Sequence, residues 1–204
     1  MANTSHTPDI VVFDIGAVLV DWDPALAWAP EIGAEATAAF LKRINFDKIN
    51  LAGDAGARFA DAAIEVADPA DAALLTKYVE NYTRTVPNKI TGTWDILYEL
   101  KAKGTTIHAI TNWSAETWPE GLKVHPELGE VFEVTVVSGE VGMIKPSVAI
   151  YKLLCDRAGV AAERCVFIDD GLHNCIGAKA AGMDAIHFTG PDALRAALTD
   201  RGLL

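Results

Sequence analysis

The sequence predicts a doubly wound α/β domain, a parallel sheet covered by helices on both faces, with an α-helical subdomain inserted after the first strand. Three observations predict it. Five short apolar runs recur along the chain, segments of helical periodicity stand between most of them, and one long stretch breaks the alternation.

The first run, Ile10 to Ile15, is continuous in its apolarity, as expected of a strand buried on both faces. From Asp23 to about Pro87 no strand pattern occurs; the segment is alanine-rich, with helical stretches at Ala34 to Ile44, Ala57 to Val66 and Ala70 to Thr83. Alternation then resumes. A helix at Trp94 to Ala102, closed by Gly104, leads to strands at Ile107 to Thr111 and Val134 to Ser138. A helix at Val148 to Ala158, closed by Gly159, leads to a strand at Cys165 to Ile168. A helix at Asn174 to Ala181, closed by Gly182, leads to a strand at Ala185 to Phe188, and Ala193 to Leu198 forms a last helix before Gly202. Glycine just past a periodic run is a helix stop. Strands joined by helices of about ten residues imply right-handed crossovers and hence a parallel sheet. The expected division is a core of residues 1–20 and 89–204 and a helical insert of residues 21–88. The insert leaves the carboxyl end of the first strand, the edge at which open α/β sheets bind ligands, so it is expected to cap the site.

Composition narrows the function classes. With 17 Lys plus Arg against 28 Asp plus Glu the formal charge is −11, and half of the residues are hydrophobic, which excludes a disordered chain and a nucleic-acid binder resting on bulk charge. A small anionic substrate held in a local pocket stays compatible with that charge. No stretch approaches the roughly 18 apolar residues of a membrane helix, and Met1 to Pro8 is polar, without the marks of a signal peptide. A cytoplasmic monomer or homodimer is expected. The three cysteines, Cys155, Cys165 and Cys175, lack zinc-ligand spacing and read as reduced core thiols.

The residues that end each apolar run are the candidates for chemistry. VVFDIG ends near Asp14 and Gly16, IHAITNWS ends at Thr111 and Asn112, and CVFIDDG ends at Asp169 and Asp170, while Lys145 stands just before Pro146. A carboxylate inside an apolar run, as at Asp14, is costly to bury unless it is paired, hydrogen-bonded or metal-bound; the alternative is an aspartate capping the next turn. Asp169 and Asp170 repel one another, and with Asp14 they form a hard-oxygen set suited to Mg²⁺; the alternative is an exposed acidic turn. Lys145 offsets those charges or is a solvated lysine ahead of a proline-initiated helix. Thr111 and Asn112 precede Ser114, a candidate helix cap whose backbone N–H groups suit an anion. Trp22 and Trp113 either wall the pocket or pack the insert on the core. Arg43, Arg58 and His173 are further polar candidates, each with a solvated alternative.

Together, FDIGAVLVDWD, AITNWS, GMIKPSVAIY and FIDDGLHNCIGAKAAGM resemble the four ordered motifs of the haloacid dehalogenase (HAD) superfamily, in its subfamily with a helical cap after the first strand. The resemblance spans most of residues 9 to 190 and implies a Rossmann-like core. It implies Asp14 as nucleophile through a covalent aspartyl intermediate, Thr111 as donor to the transferring group and Lys145 as the group that steadies both. It implies Mg²⁺ on Asp14, the Gly16 carbonyl, Asp169 and Asp170. Gly16, Asn112, Trp22 and Trp113, by their places at the strand ends, are the residues expected toward the substrate.

Two departures pull apart. Most phosphatases of the superfamily carry a second aspartate two residues after the nucleophile as general acid, and here that position is Gly16. A halide leaves without a proton, so this favours a metal-free 2-haloacid dehalogenase. The Asp169-Asp170 pair favours a Mg²⁺-dependent phosphatase, because the dehalogenases resembled have a serine-rich fourth motif and use no metal. Uncompensated charges threaten the site itself, whereas a missing acid costs about 10²–10⁴ in rate. The expectation is therefore a phosphatase of a small phosphorylated metabolite, similar to bacterial sugar-phosphate phosphatases with an Asp-x-Gly first motif. A metal-free dehalogenase and a catalytically weak binding protein are the alternatives.

Overall fold

The computed structural model describes residues 8–204; nearly all of the polar N-terminal stretch, His6 included, lies outside the described residues. Five parallel strands stand in the order β3-β2-β1-β4-β5. They are β1 (Ile10–Phe13), β2 (Thr106–Thr111), β3 (Thr135–Val137), β4 (Cys165–Asp169) and β5 (Asp184–His187). β1 lies at the centre, paired with β2 and β4, and all four of its residues are buried.

Side-chain alternation divides the interior in two. Val11, Phe13, Ala109, Val166 and Ile168 join one apolar cluster, while Ile10, Val12, Ile110, Val136 and Phe167 join the other.

The run at Ile10 to Ile15 leaves the sheet earlier than its apolarity suggests, at Phe13. Beyond it the chain folds back on itself, and the N–H groups of Leu19 and Val20 donate to the Ile15 carbonyl at 2.8 and 3.1 Å. Ile15, Val18, Leu19 and Val20 are apolar because this turn is buried, not because it is strand. Ala17 within it has φ 56°, a left-handed conformation uncommon for residues other than glycine.

The inserted segment is built of short helices joined by turns and holds no strand. It holds α1 (Ala29–Ile32), α2 (Ala34–Arg43), α3 (Phe46–Asp54), α4 (Phe59–Ile64), α5 (Pro69–Leu75) and α6 (Tyr78–Asn81), with 3-10 turns at Pro24–Ala27 and Tyr82–Arg84. The helical stretch expected from Ala70 to Thr83 is divided among α5, α6 and a 3-10 turn, and α3 falls between the stretches expected from the sequence. These short helices pack around aromatic rings. Trp28 stacks on Tyr78 at 5.2 Å and meets Phe40 and Phe46 edge-on, and its indole N–H donates to the Leu74 carbonyl at 2.8 Å. Trp28, Tyr78 and Phe40 belong to the same apolar cluster as Val11 and Phe13, so the insert is continuous with the core under it.

The remaining helices are α7 (Thr91–Ala102), α8 (Trp118–Val124), α9 (Ser138–Val141), α10 (Val148–Ala158), α11 (Leu172–Ala180) and α12 (Pro191–Thr199). Ser114 does not cap a helix: α8 begins four residues later, and Ser114 Oγ accepts the Glu116 N–H in a local turn. The three cysteines are buried free thiols. Among the described residues no helix is long and apolar enough to cross a membrane.

Candidate active site

Asp14 follows β1 directly and stays tied to the sheet, its N–H donating to the Ile168 carbonyl of β4 at 2.8 Å. Its Oδ1 accepts the Ile15 N–H at 2.7 Å and Lys145 Nζ at 2.7 Å. Lys145 Nζ also donates to Asp169 Oδ2 at 2.6 Å, so one buried ammonium bridges two carboxylates delivered by adjacent strands. The bridge is reinforced on both sides. Asp169 Oδ1 accepts from the Gly171 N–H at 2.7 Å and from Asn174 Nδ2 at 2.9 Å. Asn112 grips the Lys145 backbone twice, its Oδ1 accepting the N–H at 2.8 Å and its Nδ2 donating to the carbonyl at 3.2 Å.

Asp14, Asp169 and Asp170 each offer a carboxylate oxygen, and these oxygens lie within 4.8 Å of one another. Lys145 is the only cation bonded to them among the described residues, so the charge of the cluster is incompletely offset. Burial holds Asp14 up at about 8, with Lys145 opposing and Asp169 reinforcing the rise. Asp170 is raised as well, first by burial and then by Asp169. Burial alone would lower Lys145, but Asp14 and Asp169 together raise it, so it stays an ammonium. The cluster of carboxylate oxygens is consistent with a site for Mg²⁺, a divalent cation that would supply the charge this donor set lacks.

A cavity of about 210 Å³ opens over the cluster, walled by Asp14, Gly16, Trp22, Asp54, Asn112, Trp113 and Asp170 among others. Gly16, Asn112, Trp22 and Trp113 all line this cavity. Lys145, Asp169 and Thr111 are at most 3% exposed and form no part of the wall. The two adjacent aspartates are thereby distinguished: Asp169 is engaged by Lys145, Gly171 and Asn174, while Asp170 borders open space. Arg43 is elsewhere, in a two-bond pair with Asp71 inside the insert, and Arg58 faces Glu116 at 3.7 Å.

Sequence reasoning missed Asn50 and Asp54 of α3, which reach the cavity from the insert. Asp54 is 9% exposed and raised to about 7, chiefly by burial, with Lys145 acting through space and the Ser114 N–H lowering it. No local signal marked it, because Leu51-Ala52-Gly53-Asp54-Ala55-Gly56 reads as a glycine-rich turn.

Packing fixes the Lys145 segment from behind. A Cβ on Gly177 of α11 would stand 2.4 Å from the Pro146 carbonyl oxygen, closer than real contacts allow. Gly177→Ala is therefore expected to displace the Lys145–Pro146 segment, lower the melting temperature by several degrees and depress turnover. Crystallography or nuclear magnetic resonance of the variant would check it, and an undisturbed Lys145 would contradict it.

The chain belongs to the haloacid dehalogenase-like hydrolases: the sequence pattern of that family matches residues 11–188, most of its length. Among named relatives, it is 27% identical over 192 residues to a phosphoglycolate phosphatase of Pseudomonas putida, covering 89% of this chain and 70% of the relative. It is 32% identical over 94 residues to a sesquiterpene phosphatase of Aspergillus oryzae, a match spanning 46% of this chain and about half of the relative, 47%. The fold is that of a HAD family enzyme from Bacteroides thetaiotaomicron solved as a magnesium complex, with TM-score 0.71, 21% identity and coverage of 91% of this chain and 95% of that one. A dehalogenase solved as an intermediate complex has the same fold, with TM-score 0.62, 19% identity and coverage of 88% and 84%.

Proposed function

We propose that this hydrolase is a Mg²⁺-dependent phosphatase of a small phosphorylated metabolite, such as a sugar phosphate, and that it works through an aspartyl-phosphate intermediate on Asp14. The observation that carries this reading is the convergence of three carboxylate oxygens within 4.8 Å around one lysine. A metal-free dehalogenase would have to bring a haloacid's own carboxylate against that negative cluster, whereas a metallated site attracts a phosphate. The phosphatase names of its relatives agree with it.

Asp14, Asp170 and the Gly16 carbonyl would hold the ion, with Asp169 behind them keeping Lys145 in place. When bound, Mg²⁺ supplies positive charge to the phosphoryl oxygens as charge shifts among them. Asp14 attacks phosphorus, held in line by the Ile15 N–H and Lys145 on Oδ1. Lys145 keeps the nucleophile oriented and balances charge at the strand ends, and Asn112 sets the position of Lys145 through its backbone. Thr111, the donor that the family resemblance implies, stands at the end of β2 behind the cavity wall and has no direct contact with the space a substrate would fill. Trp22 and Trp113 limit the cavity and shield the reaction from water. The small cavity, below the roughly 300 Å³ of sites for drug-sized ligands, favours a compact substrate. The helical insert serves as the cap that closes over it.

Purified protein with Mg²⁺ is expected to release inorganic phosphate from at least one member of a panel of phosphorylated sugars and short-chain acids, and chelation should stop it. Asp170→Asn should lose most of the Mg²⁺ dependence of both turnover and thermal stability. Chloride release from 2-chloropropionate without metal, with no phosphate released from the panel, would establish the dehalogenase instead. Phosphate binding without turnover of either class would mark a binding protein.

A further inference from the structure

Gly16 removes the acid that phosphate-ester cleavage ordinarily uses, and the space is open: a Cβ built there meets nothing within 4 Å. The cavity that Gly16 borders is also bordered by Asp54, contributed by the insert. Asp54 is the last residue of α3, where a helix dipole disfavours a carboxylate, and it is buried with no ion-pair partner among the described residues. A residue that breaks two local rules without an evident gain in stability marks a functional position. It is also held firmly. Its backbone carbonyl accepts Ser138 Oγ at 2.6 Å, that Oγ in turn accepts the Trp113 N–H at 2.9 Å, and Asn50 Nδ2 donates to Asp54 Oδ2 at 3.2 Å. Ser138 thereby ties α3 of the insert to the loop that follows β2.

Resting on the phosphatase reading, we propose that Asp54 is the general acid–base of this enzyme, standing in from the insert for the carboxyl group absent at position 16. As the bond from phosphorus to the leaving oxygen breaks and the bond to Asp14 forms, Asp54 passes its carboxyl proton to the leaving oxygen, releasing an alcohol. The Asp54 carboxylate then takes a proton from the water that attacks phosphorus. The phosphorus–Asp14 bond breaks, inorganic phosphate leaves, and Asp54 is again protonated. The charged and titratable groups that act on Asp54 are few: Lys145, buried behind the cavity wall and acting through space, and the phenols of Tyr78 and Tyr82. Burial keeps it near neutrality at about 7, poised to donate and to accept close to physiological pH.

The test is a series of phosphate monoesters, from p-nitrophenyl phosphate to alkyl phosphates, turned over with Mg²⁺ by the parent, Asp54→Asn, Gly16→Asp and the double variant. Asp54→Asn is expected to lose about 10²–10⁴-fold in kcat/KM on alkyl esters, which need protonation, and about tenfold or less on the aryl ester, which leaves unaided. Gly16→Asp, for which the backbone conformation and space are available, should restore alkyl-ester turnover to the Asp54→Asn background. A loss that is equal across leaving groups, or a double variant no better than Asp54→Asn, would overturn the role of Asp54 and leave the phosphatase reading standing. A parent that releases phosphate from no ester would overturn both. Thermal melting accompanies the series, and Asp54→Asn is expected to match or exceed the parent because it removes a buried charge.

Discussion

Asp14→Asn is expected to lower phosphate release by about 10⁴-fold or more while leaving the melting temperature at or above that of the parent. The two halves of this result come from one site. An asparagine can accept the Ile15 N–H and Lys145 Nζ as Asp14 Oδ1 does, so the local geometry survives, but a carboxamide forms no acyl phosphate. Removing a carboxylate that burial has pushed up to about 8 relieves a charge cost, so stability follows the opposite course from activity. Phosphate assays and thermal denaturation on the same preparation would check both. Turnover within tenfold of the parent would place the nucleophile elsewhere.

Lys145→Ala should fail in the other direction, losing both. It leaves Asp14 and Asp169 facing each other inside the protein with no cation between them, and breaking a buried ion pair from one side costs about 3–5 kcal/mol. In a chain of this size that corresponds to a melting temperature lower by roughly 6–20 °C. Added Mg²⁺ should recover part of the stability, because it restores positive charge beside the same oxygens. Asp14→Asn in the Lys145→Ala background should be less damaging than Lys145→Ala alone, since one of the two stranded charges is gone. Lys145→Arg is not expected to rescue, because a planar guanidinium cannot replace a compact ammonium held 2.7 and 2.6 Å from two carboxylates. Equal melting temperatures for parent and Lys145→Ala would show that the bridge contributes nothing to stability.

The strands and the polar residues at their ends were legible because both follow from local pattern. A buried parallel strand needs an unbroken apolar run, and topology alone brings the ends of such runs to one edge. Asp14, Gly16, Asn112 and Asp170 on one cavity wall are the result. Legibility ended where position depends on partners distant in the chain. Nothing near Asn112 shows that its amide is committed to the backbone of Lys145, 33 residues away. Nothing in the Asp169-Asp170 dipeptide shows which carboxylate is engaged by the lysine and which meets the cavity. The insert was harder to read than the core, because its helices are short and take much of their stability from aromatic contacts around Trp28 and Tyr78. Helix α3 begins after Asn45 in a left-handed conformation and carries a glycine one residue before its end, so neither of its boundaries follows the usual capping signals, and Asp54 went unseen with it.

The central claim is that Asp14 reacts with phosphorus beside a divalent ion held at the same strand ends. The most direct measurement is a crystal structure grown with Mg²⁺ and beryllium fluoride, a mimic of an acyl phosphate. Density for beryllium fluoride bonded to the Asp14 carboxylate, with a magnesium ion touching Asp14 and Asp170, is the expected result. Beryllium fluoride elsewhere in the cavity, or an Asp14 still bridged by Lys145 with no metal beside it, would contradict the account.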